Sequence, residues 1–160
     1  MREILFRGKK LDGGDWVEGD LIHNDNDYYP VTFIGGVSVS RNEYTHKYAD
    51  TYCLDGYYLP VVDPDTVGQY TGLTDKNGKR IFEGDILQVK GYGEAIDRCV
   101  VGCGIYAPFN HSSKNVGFYL CWKHDKEQLQ KYANLAYWVE EREAVCIGNI
   151  HDNPELIAEV

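Results

Sequence analysis

The chain has 160 residues, of which 43% are apolar and 13% aromatic, with 16 lysines and arginines against 25 aspartates and glutamates. This length suits one domain or two small lobes, and the apolar fraction excludes a chain that is disordered throughout. The net charge of −9 disfavours sequence-independent binding to nucleic acid, because phosphates repel an acidic surface.

The first half of the chain is dominated by alternating polar and apolar residues, which predict β-strands. A turn at residues 12–15 contains two glycines that suit positive φ angles, and it predicts a hairpin between the strands on either side. Residues 41–60 are rich in tyrosine but weakly patterned, so they receive no assignment. Pro64 between two aspartates predicts a break, and a lobe boundary near residues 62–66. The strands predicted in this half lie at residues 3–7, 16–22, 28–34 and 37–40.

The second half contains the strongest hairpin signal, the pair Asn77-Gly78. Helix-forming residues after Asp125 predict one helix near residues 125–135, with Asp125 as its cap. A short terminal helix is predicted at residues 153–157, where Asn is followed by Pro and an acid. The strands predicted in this half lie at residues 67–72, 80–82, 86–89, 99–106, 117–122 and 144–150.

A short sequence pattern occurs once in each half of the chain. Residues 16–22 and 81–87 share the order apolar-apolar-Glu-Gly-Asp-apolar-apolar, and an Asx-Gly turn precedes each copy at the same offset. Duplication and coincidence both remain open as explanations. In either case we expect Gly-Asp to bend the chain into a new strand at two matching corners. Such bends are typical of small barrels or strongly bent antiparallel sheets, so the predicted fold class is all-β.

Three segments resemble the YopX family, whose members are small proteins encoded by phages and prophages. Residues 69–86 read Gln-Tyr-Thr-Gly-Leu-Thr-Asp-Lys-Asn-Gly-Lys-Arg-Ile-Phe-Glu-Gly-Asp-Ile and resemble the central signature of the family. Residues 1–7 look like the usual start, and residues 147–156 look like the usual ending. The resemblance spans the whole chain, although residues 24–62 and 91–144 match no motif. It implies a β-rich, barrel-like fold and a homo-oligomer, and it brings no catalytic residues.

The two Glu-Gly-Asp segments also place four carboxylates at equivalent positions: Glu18, Asp20, Glu83 and Asp85. Paired acids can hold a divalent cation or perform acid–base chemistry. The simpler interpretation is turn chemistry, in which Asp accepts hydrogen bonds from nearby backbone N–H groups. We favour the turn.

The cysteines and histidines offer a second candidate site, a zinc centre formed by Cys103, His111, Cys121 and His124. Their irregular spacing matches no standard zinc module, and cysteines in apolar strands are usually small core residues. Whether the four residues meet in space is left open by the sequence. An odd cysteine count, five in all, does not indicate a disulfide framework.

The sequence therefore leads to one fold prediction and a ranked set of functions. We expect a single domain over residues 1–160, or two β lobes at 1–62 and 66–160 sharing a core. We expect no catalytic, cofactor-binding or metal-binding residues, and a cytoplasmic location in the host cell with no signal peptide or membrane span. The leading function is a phage or prophage accessory protein that acts through binding or assembly, as a homo-oligomer or with a host or phage protein. The alternatives are a nucleic-acid-related small barrel, an acidic inhibitor of host enzymes, and a metal-dependent hydrolase using the Glu-Gly-Asp turns.

Overall fold

The computed structural model describes residues 3–24, 31–35, 38–41, 52–55, 60–91, 95–106, 114–125 and 128–158. The chain divides into two compact units: an N-terminal unit, Ile4–Val67, and a C-terminal unit, Gly68–Val160 together with Met1–Glu3. The described residues form mainly antiparallel strands with two short α-helices, which confirms the predicted all-β class. The described strands form antiparallel sheets and not a closed barrel. No helix among the described residues combines the length and the apolar character needed to cross a membrane.

The N-terminal unit contains the predicted hairpin. Its elements are β1 (Phe6–Lys9), β2 (Trp16–Asn24), β3 (Val31–Gly35), β4 (Ser38–Arg41), β5 (Tyr52–Asp55) and a 3-10 turn at Pro64–Thr66. β1 and β2 pair antiparallel, with Lys9 opposite Trp16. The turn between them uses Gly13 and Gly14 at φ angles of 86° and 71°, as the two glycines predicted. β3 pairs with β2, and β4 pairs with β5.

The interior of the N-terminal unit lies where residues 60–63 meet β1 and β3. The Val62 amide donates to the Thr32 carbonyl at 2.9 Å, and the Asp63 amide donates to the Lys9 carbonyl at 2.8 Å. Ile34 and Val62 are buried beneath these strands. A Cβ at Gly8 would lie 3.0 Å from the Ile34 side chain. Glycine at this position therefore lets β1 pack directly on the buried residues.

The C-terminal unit is built on a five-stranded antiparallel sheet in the order β11-β10-β9-β8-β12, with β6 paired to β7. Its elements are β6 (Gly68–Thr74), β7 (Arg80–Phe82), β8 (Asp85–Lys90), β9 (Ile96–Tyr106), β10 (Asn115–Asp125), β11 (Gln128–Asn134), α1 (Leu135–Glu141), β12 (Val145–Asn149) and α2 (Glu155–Ala158).

The hydrophobic core of the C-terminal unit lies between this sheet and α1. Trp122 of β10 packs edge-on against Trp138 of α1, with ring centroids 4.9 Å apart. Leu87 and Val101 are also buried in this cluster. Each large apolar side chain that is fully buried stabilises the fold by about 1.5–3 kcal/mol. This core holds β8, β9 and β10 in the register described below.

The helix predicted near residues 125–135 is wrong in position. Residues 128–134 form strand β11, paired antiparallel with β10, and α1 begins only at Leu135. Asn134 caps α1, because its side chain accepts a hydrogen bond from the Ala136 amide at 2.9 Å. Helix propensity is a weak preference, and pairing with the adjacent β10 overrides it here. The terminal helix is found as predicted, at Glu155–Ala158.

Two other sequence predictions are settled only in part. Of the strand predicted at residues 28–34, the described portion is β3, and residues 25–30 lie outside the described residues. The unassigned segment 41–60 contributes the strand β5, while residues 42–51 and 56–59 also lie outside them.

Candidate functional site

The four carboxylates of the Glu-Gly-Asp segments fall in two different units. Glu18 and Asp20 lie in the middle of β2 of the N-terminal unit, where both are exposed. Asp85 opens β8 of the C-terminal unit and is only 1% exposed. Its Oδ2 accepts a hydrogen bond from the Phe82 amide at 2.8 Å. This is the predicted turn chemistry, and it occurs in the second copy only.

The prediction of two matching corners is wrong. In the second copy, Gly84 has a φ of 80° and turns the chain from β7 into β8. In the first copy, Gly19 continues β2 and pairs with Phe6 of β1. A Cβ at Gly19 would lie 2.6 Å from backbone atoms of Gly35. Glycine at position 19 therefore serves a close approach of strands and not a bend.

The structure describes the side chains of two of the four candidate zinc residues, and it does not bring these two together. Cys103 pairs with Phe118 and Cys121 pairs with Val100, so the two cysteines lie three positions apart on opposite faces of the ladder. His111 and the side chain of His124 lie outside the described residues. Within the described residues, no group of three or more His, Cys, Asp or Glu side chains could hold a metal ion.

The cysteines divide between core and surface. Cys99 and Cys146 are buried, and burial raises the pKa of both thiols, so they remain protonated in the core. Both act as small apolar core residues. For Cys99, this is the role that its apolar strand predicted. Cys103 is exposed instead, on the outer end of β9.

The segments that resemble the centre and the end of the YopX signature meet in space. The Ile150 amide donates to the Gly84 carbonyl at 2.9 Å. Asn149 organises the turn after β12: its Oδ1 accepts from the amides of His151 and Asp152, both at 2.9 Å. The side-chain Nδ2 of Asn149 donates to Asp152 Oδ2 at 2.7 Å. These polar groups stabilise one turn packed on the Gly84 corner.

Asp75 was missed by the sequence predictions. It is 5% exposed, and its Oδ1 accepts from the amides of Asn77 and Lys79 at 2.8 and 2.9 Å. Its Oδ2 accepts from the Cys146 amide of β12 at 3.1 Å. Burial raises the pKa of Asp75, but the hydrogen bonds from the three amides outweigh it and lower the pKa overall. The signal that could have found it is an Asp two residues before an Asn-Gly pair, which is the pattern of an Asx turn.

The outer end of the β9–β10 hairpin forms a two-stranded ribbon, residues 102–106 and 115–118. The pairing of β8 with β9 stops at Val100, and the pairing of β11 with β10 begins at Tyr119. Beyond these points β9 and β10 pair with each other. A two-stranded ribbon is only marginally stable in water unless other groups cover one of its faces.

One face of this ribbon is covered by its own tyrosines. Gly102, opposite Tyr119, leaves room for the ring: a Cβ there would lie 2.7 Å from it. The ring of Tyr106 packs against that of Tyr119 with centroids 5.3 Å apart, and both side chains are buried. Burial raises the pKa of Tyr119, and the nearby Cys121, Glu83 and Cys103 raise it further. Tyrosine rings thus replace the side chains that the glycines lack.

The opposite face of the ribbon is apolar and open to solvent. We call it the ribbon face, and it consists of Cys103, Ile105, Val116 and Phe118. The register places Cys103 opposite Phe118 and Ile105 opposite Val116, so the four side chains share one face. Ile105 is 62% exposed and Val116 is 81% exposed. The ribbon face continues the apolar face of the core, since Phe118 also packs against the core cluster.

Comparisons with known proteins give a family match and a structural match over nearly the whole chain. A sequence model of the family described as "YopX protein" matches residues 5–158. A solved structure, that of protein EF1440 from Enterococcus faecalis, has a similar fold, with a TM-score of 0.51 and 23% sequence identity over 98% of this chain and 99% of that one. No curated protein matches the chain.

Proposed function

We propose, from the premise that this chain belongs to the YopX family, that it is a phage or prophage accessory protein that acts through binding and assembly. Its partner on this proposal is a second copy of the same chain, and the contact is made by the ribbon face. The exposure of Ile105 and Val116 on the ribbon face, which the tyrosines of the opposite face do not cover, is the observation that carries the proposal.

A second copy suits the ribbon face because the four side chains that form it carry no charge. Two such ribbons related by a two-fold axis can pack face to face, since each presents the same apolar pairs. Burying an Ile or Val side chain completely contributes about 1.5–3 kcal/mol, so Ile105 and Val116 of two ribbons contribute at most about 6–12 kcal/mol. Association itself costs a similar amount, about 4–15 kcal/mol. We therefore expect a weak, reversible oligomer.

Light scattering coupled to size-exclusion chromatography tests this proposal. The protein is loaded at a concentration on the order of 100 µM, because a weak interface is populated only at high concentration. We expect the wild-type chain to elute as an oligomer. The double variant Ile105→Ser/Val116→Ser should shift toward the monomer while keeping its far-UV circular dichroism spectrum.

The matched control is Leu11→Ser. Leu11 is 66% exposed in the hairpin turn of the N-terminal unit, so its exposure is close to that of Ile105. We expect this variant to keep the wild-type oligomeric state. A wild-type chain that stays monomeric at this concentration, or a double variant that stays oligomeric, would rule out the ribbon face as a self-association surface.

A further inference from the structure

The C-terminal unit contains an open cleft of about 390 Å³ on the outer face of its five-stranded sheet. Val145 is opposite Gln88, and Lys90 is opposite Ile96, so these four side chains lie on the same face, away from the core. The cleft is lined by Lys76, Gln88, Val89, Lys90, Ile96, Glu143 and Val145.

Two ammonium groups converge on one carboxylate in this cleft. Lys90 Nζ lies 2.7 Å from Glu143 Oε2, and Lys76 Nζ lies 3.9 Å from the same oxygen. The hydrogen bond from Lys90 and its charge, with a smaller contribution from Lys76, lower the pKa of Glu143, so its carboxylate is ionised at neutral pH. All three side chains are about half exposed or more, and a dissolved ion can reach them.

The backbone of Glu143 is strained. Its φ is 49°, and it is the one residue other than glycine with a positive φ among the described residues. It directly follows Arg142, the C-cap of α1, at the position where helices usually end with glycine. An L-residue in this conformation costs free energy that glycine would not. The carboxylate is thus held between the two lysines in spite of the backbone cost, and such strain is often found at binding sites.

We propose that this cleft binds a small phosphate monoester, and that Glu143 occupies the position of the phosphate in the ligand-free protein. On binding, the phosphate replaces the Glu143 carboxylate between Lys76 and Lys90. The apolar body of the ligand lies on Ile96 and Val145. No covalent bond is made or broken in this exchange.

The chemistry of the lining selects this class of ligand. A phosphate monoester carries a charge of about −1.5 to −2 at neutral pH. This charge matches that of two ammonium groups more closely than the single negative charge of a carboxylate does. Lysine binds phosphate as a point charge. Ile96 is 64% exposed beside Lys90, so an apolar surface lies next to the cations. The carboxamide of Gln88 can both donate and accept a hydrogen bond. The volume falls in the range of small-molecule sites.

Isothermal titration calorimetry of the full chain tests the proposal, with adenosine monophosphate, inorganic phosphate and adenosine as the three probes. We expect adenosine monophosphate to bind more tightly than phosphate, and adenosine not to bind. Lys76→Gln and Lys90→Gln should each weaken the binding of adenosine monophosphate by roughly tenfold. Lys114→Gln, which removes an exposed lysine elsewhere on the same unit, is the control and should leave binding unchanged.

The variant Glu143→Gln tests whether the Glu143 carboxylate competes with the phosphate for the two lysines or only forms a surface ion pair with them. If Glu143 competes with the ligand, this variant binds adenosine monophosphate roughly tenfold more tightly than the wild-type chain, because two cations are left without their counter-charge. Glu143→Gly should bind more tightly as well and unfold at a higher temperature, because the backbone strain is relieved. Equal or weaker binding by both variants would overturn the proposal.

The apolar part has a test of its own. Ile96→Ser should lower the affinity for adenosine monophosphate toward that for inorganic phosphate, without changing the latter. If wild-type protein and Glu143→Gln fail to distinguish adenosine monophosphate from adenosine, no phosphate site exists in the cleft. If both bind phosphate and the monophosphate equally, the cations bind ions non-specifically and the proposal is wrong.

Discussion

The segments Glu18-Gly19-Asp20 and Glu83-Gly84-Asp85 have the same three residues within the same apolar frame, but they adopt different backbones. The first runs straight through the nine-residue strand β2, with its acids in solvent. The second is a corner between β7 and β8, with Gly84 at a φ of 80° and Asp85 buried. A short sequence pattern therefore does not determine its own conformation. The strands on either side decide whether Gly-Asp continues or turns.

The glycine of each segment is required for a different physical reason, and alanine substitution at both positions tests this. We expect Gly19→Ala to cost the most, about 3 kcal/mol, because its Cβ would lie 2.6 Å from the Gly35 backbone and force the strands apart. Gly84→Ala should cost about 1–2 kcal/mol, since it meets only backbone strain at positive φ. Urea unfolding of both variants measures the difference.

Asparagine substitution at the same two positions serves as the control, because the stability of the Asn variant relative to the Ala variant should differ between them. Asn tolerates positive φ, so Gly84→Asn should be more stable than Gly84→Ala. At position 19 the larger Asn should be no better than Ala. If Asn stabilises both positions relative to Ala, or neither, the two glycines do not differ in the way described here.

The aspartates of the two segments should differ next. We expect Asp85→Ala to lower the free energy of unfolding by about 2 kcal/mol, because it leaves the Phe82 amide without its buried acceptor. Asp20→Ala, on the exposed side of β2, should change it by less than about 0.5 kcal/mol. Chemical unfolding of the matched pair at neutral pH checks the comparison. Similar losses in the two variants would mean that the corner does not depend on its carboxylate.

The smallest effect is a change of stability with pH, which concerns the turns that precede the two segments and is seen only in acid. The pKa of Asp75 is below its ordinary value of 3.8 in the folded chain. The stability that its carboxylate contributes is therefore complete above pH 3.8 and is lost as the pH falls through the folded-state pKa. The stability advantage of wild type over Asp75→Asn should be constant near neutral pH and should shrink in strong acid.

The equivalent turn of the first segment provides the control for this prediction. Asp15 forms a surface ion pair with Lys10 at 3.6 Å and is 78% exposed. Asp15→Asn should therefore have little effect at any pH, because exposed pairs contribute little to stability. An advantage of wild type over Asp75→Asn that persists unchanged into strong acid would show that the three amides do not depend on the charge of Asp75.

The strands and turns were predictable because they depend on local chemistry. Gly13, Gly14 and Gly78 adopt the positive φ angles that their turns require. The mainly apolar stretches at residues 86–89 and 99–106 likewise predicted β8 and β9. Residues 69–86, which resemble the central signature of the family, fold as one hairpin followed by the Gly84 corner.

The candidate sites were less predictable, because they depend on register. Ile105 and Val116 are exposed on the part of the hairpin that lies beyond the last pairing with β8 and β11. Lys76 and Lys90 meet Glu143 because the turn before β7, the end of β8 and the residue after α1 come together. No spacing in the sequence indicates these meetings, since each joins residues that are distant along the chain.

The sequence by itself determined the β class, the tight turns and the terminal helix, since φ preferences and side-chain alternation act within a few residues. Only the tertiary structure decided that residues 128–134 form a strand, that Gly19 lies in a straight segment, and which apolar residues stay exposed. The physical reason is that local propensities are small, on the order of 0.5 kcal/mol per residue. Strand pairing and burial outweigh them wherever a neighbouring strand is available.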